Sequence, residues 1–130
     1  MQAIRDYYVA TNAIVTGNVV CGAGVNLWFG TILRGDIATI TLGTRVNLQD
    51  GCIVHTDHGA PMTIEAGVVA GHAAILHGTG IGQDTLIGMR ATLLSGCEIG
   101  AECLSAGKRG TGGTTRHTLR NPSALTHRCG

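Results

Sequence analysis

A six-residue repeat runs through most of the chain and limits the folds that it can adopt. Apolar residues, most of them large and aliphatic, recur at every sixth position, with three changes of phase. These positions are Val15, Cys21, Leu27, Leu33, Leu42, Leu48, Val54, Ile64, Ala70, Leu76, Ile81, Ile87, Leu93 and Ile99. A period of six fits neither an α-helix nor a simple alternating strand. It predicts a solenoid of short strands and tight turns, with about three hexads per coil and about five coils.

The composition agrees with an all-β chain. Glycine accounts for 21 of the 130 residues, and this much glycine disfavours a helical bundle. Hydrophobic residues make up 44% of the chain, which disfavours disorder. Glycine often follows the large inward residue, as at Gly43 and Gly82. We expect these glycines to supply the unusual φ angles of the turns.

Charge and period both change near residue 105, which divides the chain into two predicted regions. Residues 1–105 contain all eight acidic residues and four of the nine lysines and arginines, so nothing there predicts a nucleic-acid partner. Residues 106–130 contain the other five basic residues, no acid and no hexad period. We predict a β-helix domain over 1–105 and a non-repeat basic tail over 106–130. For the tail, two hypotheses stay open: a disordered or frame-shifted segment, and a segment that binds anionic surfaces.

No feature of the sequence predicts export or membrane insertion. The chain has no apolar run of the ~20 residues that a membrane span needs, and its first residues lack the apolar core of a signal peptide. Its five cysteines are odd in number and show no Cys-x-x-Cys spacing. We expect a cytoplasmic protein with no membrane partner and with reduced thiols, most of them small buried side chains.

Three of the six histidines fall at related positions of the repeat. His55 and His77 each follow an inward hexad residue that occupies the same place on successive coils. They should stack about 4.8 Å apart, one strand spacing, with Arg34 in the same column one coil earlier. His72 precedes His77 by up to about 16 Å of extended chain. One chain could hardly bring all three to one ion, whereas a neighbouring subunit of a closed trimer could supply His72.

A set of three imidazoles is typical of a catalytic metal site. Three neutral histidines leave one tetrahedral position of Zn²⁺ open, and a water bound there can lose a proton near pH 7. Fe²⁺ and Co²⁺ accept the same ligands. Gln49, with Asn47 beside it, is a candidate to orient the reactants, and Arg34 with Asp36 is a candidate ion pair between subunits. The alternative is that each histidine is an ordinary surface residue.

Five segments carry a combination of residues that is more specific than the hexads. They are Leu33-Arg34-Gly35-Asp36, Asn47-Leu48-Gln49-Asp50-Gly51, Val54-His55, Gly71-His72-Ala73-Ala74-Ile75-Leu76-His77-Gly78 and Ile87-Gly88-Met89. Together they resemble the gamma-class carbonic anhydrase family of hexapeptide-repeat proteins. The resemblance implies a left-handed parallel β-helix that forms a homotrimer. It also implies reversible hydration of CO₂ to bicarbonate by metal-bound hydroxide at the trimer interfaces.

The resemblance further implies roles for individual residues. The metal ligands would be His55 and His77 of one subunit and His72 of its neighbour. Arg34 and Asp36 would form a subunit-bridging ion pair. Gln49 would lie beside the metal-bound water, with Asn47 close by.

The sequence departs from the well-known active members of the family in the residues that move protons. Those members carry glutamates near the metal, whereas here Ile37 follows Asp36 and residues 56–61 contain no glutamate. Asp57 or His58 could take over this role, and a merely solvent-exposed loop is the alternative. We therefore expect weak or buffer-dependent activity. Two other functions stay open: a non-catalytic metal-binding trimeric scaffold, and a hexapeptide acyltransferase, which the set of three histidines disfavours.

Overall fold

The computed structural model describes residues 2–4, 6–78, 80–105 and 117–119, with side chains in 6–78 and 80–105. Within these ranges the chain forms sixteen strands, and no helix there could cross a membrane. The strands are β1 (Gln2–Ile4), β2 (Tyr7–Val9), β3 (Ile14–Cys21), β4 (Asn26–Leu27), β5 (Ile32–Leu42), β6 (Asn47–Leu48), β7 (Ile53–His55), β8 (Met62–Ile64), β9 (Val69–Ala70), β10 (Ile75–His77), β11 (Gly80–Ile81), β12 (Leu86–Ile87), β13 (Thr92–Leu93), β14 (Glu98–Ile99), β15 (Cys103–Ser105) and β16 (His117–Leu119).

The strands stack on three faces of a triangular coil. The first face consists of β2, β4, β6, β9, β12 and β15, paired in parallel in that order. The second face contains β7, β10 and β13, and the third contains β8, β11 and β14. The long strands β3 and β5 belong to both, because residues 32–34 of β5 pair with β7 and residues 40–42 pair with β8. The predicted fold is confirmed: the chain is an all-β, left-handed parallel β-helix of about five turns.

The hexad residues line the inside of the coil. From the third hexad onward each is at most 3% exposed, namely Leu27, Leu33, Leu42, Leu48, Val54, Ile64, Ala70, Leu76, Ile81, Ile87, Leu93 and Ile99. The first two differ, since Val15 is 44% exposed and Cys21 is half-buried. Both lie in β3, which pairs only with β5 among the described strands and so has no earlier rung to cover it.

Close approach between rungs, and not an unusual φ, accounts for the glycine at position 43. A Cβ on Gly43 would lie 2.5 Å from the backbone nitrogen of Ala66 on the next rung. Only a residue without a side chain fits there. The positive φ occurs two residues later, at Arg45, with φ of 58°. The expected role is therefore wrong for Gly43 and also for Gly82, which has no positive φ and whose Cβ would clash with the backbone of Gly100 and Ala101.

Two of the three changes of phase are insertions. The first adds three residues between Leu33 and Leu42, and the second adds four between Val54 and Ile64. Both lie at the corner between the second and third faces. Thr56, in the second insertion, is fully buried. Its hydroxyl accepts a hydrogen bond from the backbone nitrogen of Ala38, in the first insertion, and donates one to the Ala38 carbonyl oxygen, each at 3.1 Å. These two hydrogen bonds between one side chain and the backbone of one residue fix the two insertions side by side.

The last parallel strand among the described residues is β15. Ser105 lies opposite Ile87 and is fully buried, although it is polar. Its hydroxyl has no hydrogen-bond partner within the described part of the chain. Three residues of the predicted tail form β16, which pairs antiparallel with β15. The rest of the tail lies outside the described residues, and its two hypotheses stay predictions.

The described cysteines are mostly core residues. Cys52 and Cys103 are buried and Cys21 is half-buried, and all three carry free thiols. Burial raises the pKa of Cys52 to about 11, so the thiol stays protonated at neutral pH. The expected small apolar role is confirmed for Cys52 and Cys103. Cys97 is also buried and is disulfide-bonded, which differs from the reduced state expected.

Adjacent residues of β12 provide a test of the inward and outward positions. Ile87 is fully buried, whereas Leu86 is 45% exposed. We expect Ile87→Ala to lower the free energy of unfolding by about 2–5 kcal/mol, because it leaves a cavity in the core. Leu86→Ala should cost less than about 1 kcal/mol. Urea unfolding followed by circular dichroism measures both, and equal losses would contradict the inward placement of Ile87.

Candidate functional site

His55 and His77 stack on adjacent rungs of the second face. β7 and β10 pair in parallel with His77 opposite His55, and β5 places Arg34 opposite His55 on the other side. The two imidazole rings have centroids 5.2 Å apart and planes inclined at 62°. The structure thus contains the column that the hexad count predicts. We call this corner, between the second and third faces, the second edge.

Polar contacts link the first part of this column. Arg34 Nη2 donates a hydrogen bond to Asp36 Oδ2 at 2.8 Å, and Asp36 Oδ1 lies 3.2 Å from His55 Nε2. The hydrogen bond from Arg34 is the main cause that lowers the pKa of the Asp36 carboxyl below its ordinary value. The ion pair is formed within one chain here, so the subunit-bridging role implied by the resemblance stays a prediction.

His77 is contacted by two further side chains. Its Nδ1 lies 3.1 Å from Ser95 Oγ and 3.6 Å from Asp57 Oδ1. Asp57 belongs to the second insertion, where the sequence offered Asp57 and His58 as replacements for the missing glutamates. His58 is exposed. Of these two residues, Asp57 is the one placed against a predicted metal ligand.

His72 lies at the opposite edge of the second face. It is in the turn between β9 and β10, at the corner of the first and second faces, which we call the first edge. His72 Nδ1 lies 3.0 Å from Asp50 Oδ2, which occupies the preceding rung of this edge. The whole strand β10 separates His72 from the second edge. Within the described part of one chain, no group of three or more histidine, cysteine or carboxylate side chains could hold a metal ion.

Asn47 and Gln49 lie beside the first edge. They flank Leu48, the buried residue of β6, and are themselves half-buried. Asn47 Oδ1 is buried and has no hydrogen-bond partner among the described residues. Buried polar atoms in proteins usually have a hydrogen-bond partner, so this oxygen needs a donor from outside the described residues or from water. The structure therefore divides the predicted site residues into two groups: Asn47, Gln49 and His72 at the first edge, and Arg34, Asp36, His55 and His77 at the second.

The donors have the chemistry that the predicted metals need. One ring nitrogen of each histidine lies near an oxygen, from Asp36 for His55, Asp50 for His72 and Ser95 for His77. Metal-binding histidines characteristically hold their second ring nitrogen in this way, which fixes the ring and raises its basicity. Three imidazoles suit Zn²⁺, Fe²⁺ and Co²⁺ alike. The residues therefore fit a metal once the two edges are brought together.

Two of these oxygen partners, Asp50 and Ser95, were not among the residues predicted from the sequence. Asp50 and His72 are as far apart in the sequence as His55 and His77. Counting residues along the repeat therefore predicts that Asp50 and His72 lie on adjacent rungs. Ser95 is not the residue that the phase of the hexads places opposite His77. The coil after His77 is one residue shorter, because Leu76 pairs with Leu93, so Leu94 and not Ser95 follows His77 in the column.

Comparison with known proteins gives several relatives with related names. The carbonic anhydrase of Geobacillus kaustophilus is 42% identical over 99 residues, 76% of this chain and 54% of that protein. The mitochondrial gamma carbonic anhydrase 1 of Arabidopsis thaliana is 36% identical over 125 residues, which cover 92% of this chain and 44% of that protein. The carnitine operon protein CaiE of Salmonella agona is 37% identical over 118 residues, 88% and 60%. The chain thus spans about half the length of the curated relatives it matches. No family model matches it.

Two solved structures share the fold. A hexapeptide transferase family protein from Anaplasma phagocytophilum has a TM-score of 0.68 and 26% identity, covering 92% of this chain and 78% of that one. A putative acetyltransferase from Bacillus cereus has a TM-score of 0.69 and 29% identity, covering 87% and 77%. The coil and its hexads therefore define a hexapeptide-repeat β-helix protein. Within this class, the chain belongs to the gamma-class carbonic anhydrase-like family, as the sequence motifs predict.

Proposed function

We propose that this chain is a metal-dependent carbonic anhydrase that catalyses the reversible hydration of CO₂ as a homotrimer. The observation that carries the proposal is the stacked pair His55 and His77 on one edge of the second face, with His72 on the other edge. Relatives named carbonic anhydrase in Geobacillus, Arabidopsis and Methanocaldococcus support the activity. CO₂ and bicarbonate are the proposed substrates.

The placement of the two edges favours a closed ring. A contact of the first edge of one copy with the second edge of the next joins two different surfaces, and such contacts form a ring when the rotation between copies closes. The second face then looks toward the ring axis. Its outward residues between the edges include Ile14, Ile53 and Ile75, all exposed in the single chain. An apolar strip of this kind is typical of a surface that another subunit covers.

In this ring, His55 and His77 of one copy and His72 of the next would hold the metal. Zn²⁺ is proposed because three histidines and one open position are its usual catalytic arrangement, with Fe²⁺ or Co²⁺ as alternatives. When bound, the metal would act as a Lewis acid that activates water for attack on CO₂.

The chain's own polar residues would orient the reactants and the ligands. Asp36, Asp50 and Ser95 hold the three imidazole rings through the contacts given above. Gln49 lies beside the His72 edge, where its amide can donate a hydrogen bond to an oxygen of the substrate. Asn47 offers a buried oxygen that lacks a donor among the described residues. Both side chains are proposed to position substrate and water.

Asp57 is proposed as the group that carries the proton away. Its carboxylate lies 3.6 Å from His77 and the side chain is 38% exposed, so it contacts both the site and the solvent. A single carboxylate on a short insertion offers one relay step. Added buffer should therefore supplement it.

A non-catalytic metal-binding scaffold is the second candidate function. It is favoured by the lack of glutamate in residues 56–61. An acyltransferase is less favoured, because the transferase-like structures share the fold, and fold alone does not assign a reaction. A cytoplasmic location stays a prediction, since the Arabidopsis relatives are named mitochondrial.

Mixing two inactive variants tests the shared site. We expect His72→Ala and His77→Ala each to lose bound Zn²⁺ and CO₂ hydration, because each removes one ligand from every site. Refolding the two together should restore about one quarter of the wild-type sites, since each mixed trimer contains one intact interface. Metal analysis, molar mass from light scattering and stopped-flow hydration assays measure the outcome. His58→Ala, in the exposed loop, is the control and should keep all three properties.

Recovery of metal and activity on mixing distinguishes ligands drawn from two subunits from ligands drawn from one. Absence of any recovery on mixing, with both variants trimeric, would contradict ligands drawn from two subunits. Full metal content with hydration at the background rate would favour the scaffold.

Asp57→Asn tests the proton carrier. We expect its turnover in dilute buffer to fall by about 10- to 100-fold, because general acid–base groups contribute on this scale or more. Added imidazole buffer should restore it, while metal content stays unchanged. Asp84→Asn removes another exposed carboxylate, in a different turn, and should change nothing. Rates that depend on buffer equally in wild type and variant would rule out the role of Asp57.

A further inference from the structure

Two exposed apolar side chains lie one rung beyond the histidines, one on each edge. Met89 follows His72 on the first edge, where the nitrogen of Arg90 donates a hydrogen bond to the His72 carbonyl oxygen at 2.9 Å. Leu94 follows His77 on the second edge, as the pairing of β10 with β13 requires. Met89 is 62% and Leu94 65% exposed, the highest values among large apolar side chains in the described ranges.

Both edges change character at the same rung. On the first edge, the order along the coil is Phe29, Asp50, His72 and Met89, so the two polar residues lie between two exposed apolar ones. On the second edge, the polar column that ends at His77 precedes Leu94. Two unrelated solvent-exposed corners have no reason to turn apolar at the same height along the coil. A contact that joins the two corners provides one.

We propose that Met89 of one copy packs against Leu94 of the next, as an apolar contact directly beyond the metal ligands. This inference rests on the proposed trimer. The rotation that brings His72 of one copy to His77 of the next also brings together the positions that follow them, about 4.8 Å further along the coil. The pair closes this end of the site to water. It leaves the charged groups on the opposite side, toward Asp50.

The contact also describes the kind of substrate that the site admits. Its apolar end can hold a small neutral molecule without leaving a polar group unpaired. Its polar end, with Arg34 and the carboxylates, suits a charged product. The proposed CO₂ and bicarbonate have these two characters. Met89 and Leu94 are therefore interface residues that also line the substrate space.

A charge-pair exchange tests the contact. Each single variant, Leu94→Lys or Met89→Asp, buries an unpaired charge at the interface. We expect each to raise the protein concentration at which half of the trimer dissociates by at least about tenfold. The double variant should return to within about threefold of wild type, because lysine and aspartate then meet between copies. Within one chain, positions 89 and 94 lie on opposite sides of strand β13 and are separated by about 16 Å of extended chain, so they cannot pair with each other. Sedimentation velocity over a concentration series measures the three variants.

The outcomes separate this contact from the proposed function. Leu86→Lys, on the outer side of the first face, places the same charge on an exposed leucine and should leave the trimer unchanged. A trimeric wild type with both single variants equally stable would overturn the Met89–Leu94 contact alone. So would a double variant as weak as the single ones. A wild type that is monomeric with Zn²⁺ bound would overturn the trimer and the proposed function with it.

Discussion

The parallel register between successive rungs determines most of this molecule. Each residue lies directly against its counterpart on the next rung, so the phase of the hexads decides which side chains share a column. Leu33, Val54 and Leu76 are opposite one another inside the coil. Their neighbours Arg34, His55 and His77 are then opposite one another outside. A shift of one residue in these rungs that turned Arg34, His55 or His77 inward would bury a charged or polar side chain and expose an aliphatic one, so the aliphatic core also holds the histidines in line.

The same rigidity prevents one chain from completing the site. A three-sided coil gives each edge its own set of residues, and the flat strand β10 keeps His72 and His77 at opposite ends of one face. A flexible loop could bend to join them, but His72 lies in a tight turn whose backbone is hydrogen-bonded to the turns before and after it. Symmetry is the remaining way to unite the two edges. In the proposed trimer, metal binding and assembly would be coupled, because each proposed site takes its ligands from two copies.

The sequence predicts well wherever the period is unbroken. Counting hexads gives the core, the three faces and the column of His55 and His77, because each follows from register alone. Counting fails at the insertions and at the shortened coil. Asp57 reaches His77 because Thr56 is anchored to Ala38, a contact between two insertions that no period encodes. Ser95 is missed because the shortened coil puts Leu94 in the column and leaves Ser95 one residue beyond it. The glycine at position 43 was assigned to a turn angle, whereas the distance between rungs explains it, and that distance is a property of packing that spacing does not contain.

A common coil with different chemistry on its edges explains why relatives of this chain carry different names. The inward positions are constrained by packing alone, so proteins named transferase, acetyltransferase and carbonic anhydrase can share them. The proposed reaction would depend on a few outward positions at two corners, where substitution costs little stability. On the second edge of this chain, the outward residues change along the coil from Arg34, through His55 and His77, to Leu94. In the proposed trimer, this change of character would place a nonpolar side and a charged side on the substrate space. It gives the proposed hydration of CO₂ a physical basis that the fold by itself does not supply.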